Sequence, residues 1–198
     1  MGTGTVAEEY REIYEYAAAV TSAVGSHGMD HTDRVTRLCT VIGSEELADM
    51  GVLIPAAILH DIARSAEEER GVPHEAEGAR MAEEYLRSAG YNEASIPAIS
   101  HAIRAHRFRS TEKPETPEAR ILSDADKLDA LGAVGIARTF IRAGERGGGI
   151  PDAVHHVHDK LMKLEGLMRT PAGRRIARER HTFMAGFMEE LERERVNR

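Results

Sequence analysis

The stretch Ala56 to Ala63, AAILHDIA, sets a histidine and an aspartate side by side in a run otherwise made of Ala, Ile and Leu. Such a run goes into a core, and a carboxylate taken there must be paired, hydrogen-bonded or bound to a metal. His60 and Asp61 are therefore the first candidates for chemistry, either as an ion pair that only packs or as part of a metal site.

Further ligands would favour the metal, and helical spacing supplies them. His31, Val35, Leu38 and Ile42 recur at i, i+4, i+7 and i+11, so His31 shares the apolar face of its helix. His74 lies on a stripe with Gly78, Ala82 and Leu86, and His106 continues Ile99 and Ile103, whereas His101 falls on another side. Asp124, Asp126 and Asp129 interleave with the stripe Ile121, Leu122, Ala125 and Leu128, so periodicity leaves open which acid turns inward. Imidazole and carboxylate donors from three helices suit a first-row divalent cation in an octahedral site, with positions left for water or substrate.

The elements that would position these groups read as helices throughout, about nine of them, with no strand. The first runs from Val6 to Val20, with Tyr10, Ile13 and Ala17 on its apolar face, and the break Gly25-Ser26-His27-Gly28 leaves His27 solvated. Glu45 to Met50 reads as a short helix closed by Gly51, and Pro55 suits the first turn of the next. Glu67, Glu68, Glu69 and Arg70 read as a solvated loop carrying no chemistry. Pro73 opens the His74 helix; another starts at Ile96, and Phe108 and Arg109 lead into the polar loop STEKPETPE. A helix from Pro117 contains ARILSDADKLDALGAVGIART, Gly144 to Gly149 forms a loop, and Pro151 begins VHHVHDKLMKLEGLM. A second His-Asp pair there, His158 and Asp159, lacks an apolar run before it and reads as surface, as do His155 and His156. The last helix spans Pro171 to Glu194, its Phe183, Met184, Phe187 and Met188 serving as core or as a helix–helix seam.

Composition narrows the function. The 198 residues suit one domain, with a metal-site core over about 25–140 and the C-terminal helices 151–198 packed on it. A net charge of −7 argues against a general nucleic-acid or membrane-surface binder, though a local basic pocket could hold a phosphate. The single Cys39 excludes a disulfide within the chain and suits a reducing cytoplasm, with Cys39 a small core residue. No apolar stretch is long enough for a bilayer, and the N-terminus does not read as a signal peptide.

The ordered set HxxRV at His31 to Val35, AAILHDIAR at Ala56 to Arg64, HxxxG at His74 to Gly78, AIxxH at Ala102 to His106 and DADKLDALGAVGIAR at Asp124 to Arg138 resembles the HD-domain superfamily of metal-dependent phosphohydrolases. It is similar in particular to the small single-domain bacterial and archaeal HD hydrolases, and the C-terminal KLMKLEGLMRTPAGRRIARERHTFMAGFMEEL extends the resemblance over nearly the whole chain. The resemblance implies an all-α HD-domain fold with a divalent ion (Mn, Fe, Co, Ni, Zn or Mg) held by His31, His60, Asp61 and a final aspartate. That ligand stands in an A-D-[KR]-L context in the superfamily, which selects Asp126 here and leaves Asp124 as the alternative or as a supporting group. Lys127 would face substrate phosphate. His74 and His106 match the extra histidines of two-metal branches, but Arg107 stands where those often carry a second consecutive histidine, so a second ion is left open and weakly held.

The implied chemistry is hydrolysis of a phosphoester or phosphoanhydride by metal-activated water, positioned or deprotonated by Asp61. Arg34 and Arg64, each within a turn of a ligand, and Lys127 would neutralise charge developing on the phosphoryl group. A nucleotide is the favoured substrate, cleaved for instance from triphosphate to monophosphate and pyrophosphate. Guanosine tetraphosphate hydrolysis ranks lower, because that branch is expected to carry an acidic pair on an ordered helix after HD. The alternative is a catalytically silent HD module that binds a metal or nucleotide for regulation. The apolar C-terminal helices leave room for a homodimer.

Overall fold

The computed structural model describes residues 8–21, 28–107 and 110–196. The expectations for Val6, His27, Phe108 and Arg109 lie outside them. The described residues form ten α-helices and three short 3-10 turns, with no strand among them. No helix among them is long and apolar enough to cross a membrane.

Two compact units divide the chain, Met1–Asp126 and Lys127–Arg198. The first holds α1 (Arg11–Val20), α2 (Met29–Glu45), α3 (Met50–Leu59), α4 (Arg64–Arg70), α5 (His74–Ser88) and α6 (Ile96–Ala105), and α7 (Pro117–Asp129) runs across the division. The second holds α8 (Gly132–Glu145), α9 (Ile150–Asp159) and α10 (Pro171–Val196).

In the first unit the core is built around α3, which is apolar on every side and buried from Val52 to Leu59. It packs against α1, α2, α5 and α6, and α5 lies along α6. The remaining helices present one face each: Tyr10, Ile13 and Ala17 ahead of and along α1, Val35, Cys39 and Ile42 on α2, Ile99 and Ile103 on α6.

The start of α3 differs from the sequence expectation. There is no separate helix over Glu45 to Met50: α2 ends at Glu45, Leu47 turns the chain in the left-handed region at φ 54, and Asp49 caps α3 by accepting from the Gly51 N–H at 2.9 Å. Pro55 consequently sits inside α3 rather than in its first turn. Its missing N–H would leave the Gly51 carbonyl without its helical donor, and the Tyr91 hydroxyl donates to that oxygen at 2.7 Å. A proline inside a helix is tolerated because a side chain from elsewhere replaces the lost donor.

Two further expectations are corrected. Arg64 to Arg70 is a helix, closed by Gly71 at φ 69 with its N–H on the Glu67 carbonyl. Only Ala66 of α4 is buried, so no apolar period announced it. The long helix from Pro117 is broken at Ala130 and Leu131, and α8 starts afresh at Gly132, whose φ of 77 suits glycine.

In the second unit α8 packs on α9 and α10 around Ile136, Val157, Leu164, Ala177 and Met184. Met184 and Met188 are buried as expected of a core, whereas Phe183 is exposed and Phe187 meets Phe140 edge-on at its margin. The second His-Asp pair is exposed, as its sequence context implied.

Candidate metal centre

Every histidine that the helical periods turn inward is buried: His31, His60, His74 and His106 are each at most 1 % exposed, and Asp61 is 3 % exposed. His31 comes from the first turn of α2, His60 and Asp61 from the residues that follow α3, His74 from the first position of α5 and His106 from the residue that closes α6. Asp126 comes from the last turn of α7, and its side chain is about a fifth exposed, which marks the open side of the group.

Asp61 divides these groups by its two oxygens. Its Oδ2 lies 3.6 Å from both His31 Nε2 and His60 Nε2, while Asp126 Oδ1 is 3.5 Å from His31 Nε2 and the two imidazole nitrogens are 3.2 Å apart. Its Oδ1 lies 3.3 Å from His74 Nε2 and 3.7 Å from His106 Nε2, with those nitrogens 3.4 Å apart. One carboxylate thus joins two sets of donors. Among the described residues, His31-His60-Asp61 and Asp61-His74-His106 are each close enough to share an ion.

The protons on these rings are settled by their outer partners. Backbone carbonyls and carboxylates only accept, so Nδ1 must donate: His60 to the Ala57 carbonyl at 2.8 Å, His106 to the Ile103 carbonyl at 2.6 Å and His74 to Glu67 Oε2 at 2.9 Å. In the neutral rings, the Nε2 lone pair of His60 faces His31 and Asp61, and those of His74 and His106 face each other and Asp61. Burial pushes His60 down to about 4, outweighing the upward pull of Asp61 and Asp126, so it is neutral at pH 7 and fit to bind a cation. Burial would raise Asp126, but His31 beside it, with His106 and His60, holds it below the usual carboxylate range. Lone pairs facing lone pairs repel unless a cation lies among them. An ion with ligands at about 2.0–2.6 Å in octahedral geometry spaces adjacent donors at about 2.8–3.7 Å, which spans the separations seen here. The donor set therefore fits a divalent metal.

Around these groups lie guanidiniums. Arg64 Nε donates to Asp61 Oδ1 at 2.9 Å and its Nη1 to Glu67 Oε2 at 3.2 Å. Arg107 Nη1 donates to Glu67 Oε1 at 2.7 Å and to Glu75 Oε2 at 3.2 Å. Arg34 donates to Asp30 one turn before it. Lys127 and Asp124 are both buried on α7, flanking Asp126 in sequence. His101 donates to Glu112 and accepts from the Glu115 N–H, as befits a residue off the inward face. Burial raises the Cys39 thiol and leaves it a core residue. Glu67, Glu75 and Arg107 are the groups that the sequence reading left without a role. Glu67 and Glu68, expected in a loop, stand on the ordered helix α4.

The model of the HD domain family matches residues 28–131, a span that contains all six of these histidine and aspartate positions. The chain belongs to that family. The chain is similar to YpgQ of Bacillus subtilis, with 34% identity over 185 residues, 88% of this chain and 87% of that protein. The crystal structure of YpgQ in complex with ADP superposes with a TM-score of 0.77 at 30% identity, covering 94% of this chain and 98% of that one. An HD-superfamily hydrolase from Bacillus thuringiensis superposes with a TM-score of 0.78 at 27% identity, covering 96% of this chain and 98% of that one. Ribonuclease Y of Desulforudis audaxviator is 30% identical over 109 residues, 55% of this chain but 19% of the ribonuclease.

Proposed function

We propose that this HD domain is a divalent-metal-dependent phosphohydrolase whose substrate is a nucleotide, with a nucleoside triphosphate cleaved to monophosphate and pyrophosphate as the leading reaction. The observation that carries the reading is Asp61, a buried carboxylate whose two oxygens each face a pair of histidine nitrogens. YpgQ, which shares nearly the full length of the chain and was crystallised with ADP, supports a nucleotide over a polymeric substrate.

In this reading His31, His60, Asp61 and Asp126 hold the ion, which when bound lowers the pKa of water and polarises a phosphoryl oxygen. Asp61 orients the attacking water and accepts its proton, while Arg64, held on Asp61 Oδ1, keeps that carboxylate aimed. Lys127 and Arg34 counter charge developing on the phosphoryl group. His74 and His106, on the other oxygen of Asp61, take a second ion or meet the substrate, and Asp124 on the same helix is the alternative ligand to Asp126.

Release of phosphate and pyrophosphate from a panel of nucleotides, guanosine tetraphosphate included, tests this with manganese added to apo-protein. Turnover that needs the metal and falls at least about a hundredfold in Asp61→Ala is expected. A protein that binds the ion yet turns over none of the panel is instead the silent module.

A further inference from the structure

We infer that Glu67 is a positioning residue that sets the ring of His74, and with it the readiness of Asp61, His74 and His106 to take a second divalent ion. The inference rests on the metal-centre reading given above.

Three buried histidines donate through Nδ1, but not by the same means. His60 and His106 close helices α3 and α6, where the last carbonyls lack intrahelical donors, and each ring donates to the carbonyl three residues back, Ala57 and Ile103. His74 is the first residue of α5. A helix N-terminus offers unpaired N–H groups and no free carbonyl, so the backbone there has nothing to receive the Nδ1 proton. An acceptor must come from another element, and α4 brings Glu67 Oε2 to 2.9 Å. With its Nδ1 proton so held, the neutral ring turns a bare Nε2 to Asp61 Oδ1 at 3.3 Å and to His106 Nε2 at 3.4 Å.

Glu67 is itself held on both oxygens. Arg107 donates to Oε1 at 2.7 Å and Arg64 to Oε2 at 3.2 Å, so the carboxylate neither rotates away nor stays free to ligate an ion. Glu67, His74 and Glu75 are close enough to gather around a cation, and the cation that serves both carboxylates is the Arg107 guanidinium. Arg107 therefore braces the outer support of His74. Glu75 Oε2, at 3.3 Å from His74 Nδ1, is the competing acceptor and lies farther away than Glu67 Oε2 at 2.9 Å.

The test has a readout that needs no activity. In metal-free protein at pH 8.5, nitrogen NMR of the histidine side chains reports which nitrogen of His74 carries the proton. The wild type is expected to show Nδ1–H with a bare Nε2, Glu67→Ala to shift His74 toward Nε2–H, Glu67→Gln, whose amide oxygen still accepts, to keep Nδ1–H, and Glu75→Ala to leave it unchanged. Calorimetric titration with manganese is expected to find two ions per wild-type chain, with the weaker one bound about 10–100-fold less tightly in Glu67→Ala and the tighter one retained. A His74 signature identical in wild type and Glu67→Ala overturns the inference, as does a wild type that binds one ion or a Glu67→Ala protein that binds two as tightly as before. Two ions in the wild type and a weakened one in Glu67→Ala, with no nucleotide turned over, would remove the substrate reading and leave the role of Glu67 in place.

Discussion

At pH 7 the His60 ring is neutral because its burial outweighs the attraction of Asp61 and Asp126, and this imposes a pH dependence on folding. The unfolded ring titrates near 6.5 and the folded one near 4, so between those values the unfolded chain binds the extra proton. Stability is then complete above about 6.5 and declines as the pH falls toward 4, by roughly 3 kcal/mol over the window. His156 is also held below its ordinary value and adds in the same direction, so the comparison belongs in His156→Gln protein. The carboxylates of Glu67, Glu83 and Glu112, which are lowered, act below about 4.5. Thermal unfolding of the metal-free protein should therefore show a Tm that drops between pH 6.5 and 4.5; a flat Tm there would mean that His60 is not desolvated as the fold implies. At this scale the sequence was informative where burial is costly: a His-Asp pair in an apolar run has few innocent explanations. Glu67 was illegible for the opposite reason, since a glutamate within a run of charges looks solvated whichever partner it finds.

Helices were legible by their periods and much less so by their ends. The inward positions of His31, His74 and His106 followed from residues three and four apart, whereas no apolar period announces the start of α3, the existence of α4 or the break before α8. The Tyr91 hydroxyl that replaces the donor missing at Pro55 is forty residues distant from its acceptor. Tyr91→Phe should cost about 1 kcal/mol, a fall in Tm of about 2–4 °C. In a Pro55→Ala background the restored N–H can bond to Gly51, so the same substitution should cost clearly less, and equal costs in both backgrounds would contradict the substitution of one donor for the other. The α7–α8 break makes a harder demand. A Cβ on Gly135 would lie 2.1 Å from the Ala130 carbonyl oxygen, backbone that has no side-chain freedom to yield. Gly135→Ala should cost about 3 kcal/mol or more, lowering Tm by at least about 6 °C, and an unchanged Tm would show that the turn is not held as described.

Across the whole molecule, the HD match ends at residue 131, shortly after the division between the two compact units at Asp126 and Lys127. The proposed ion ligands therefore belong to the shared HD portion, and similarity to ribonuclease Y is confined to about half of the chain. The likeness to YpgQ extends over the second unit as well, and this is why the substrate reading leans on a nucleotide rather than on a polymer. An overall charge of −7 would repel a nucleotide as it would nucleic acid, so a nucleotide substrate would need local positive charge to offset it. The most direct test of metal-dependent phosphoryl hydrolysis is turnover of a nucleoside triphosphate in 18O-labelled water with manganese, wild type beside Asp61→Ala, with the products weighed by mass spectrometry. One labelled oxygen per turnover in a phosphate-bearing product, dependent on manganese and at least about a hundredfold slower in the variant, is the result predicted. Labelling at the same rate in Asp61→Ala, or none in wild-type protein that holds manganese, would contradict it.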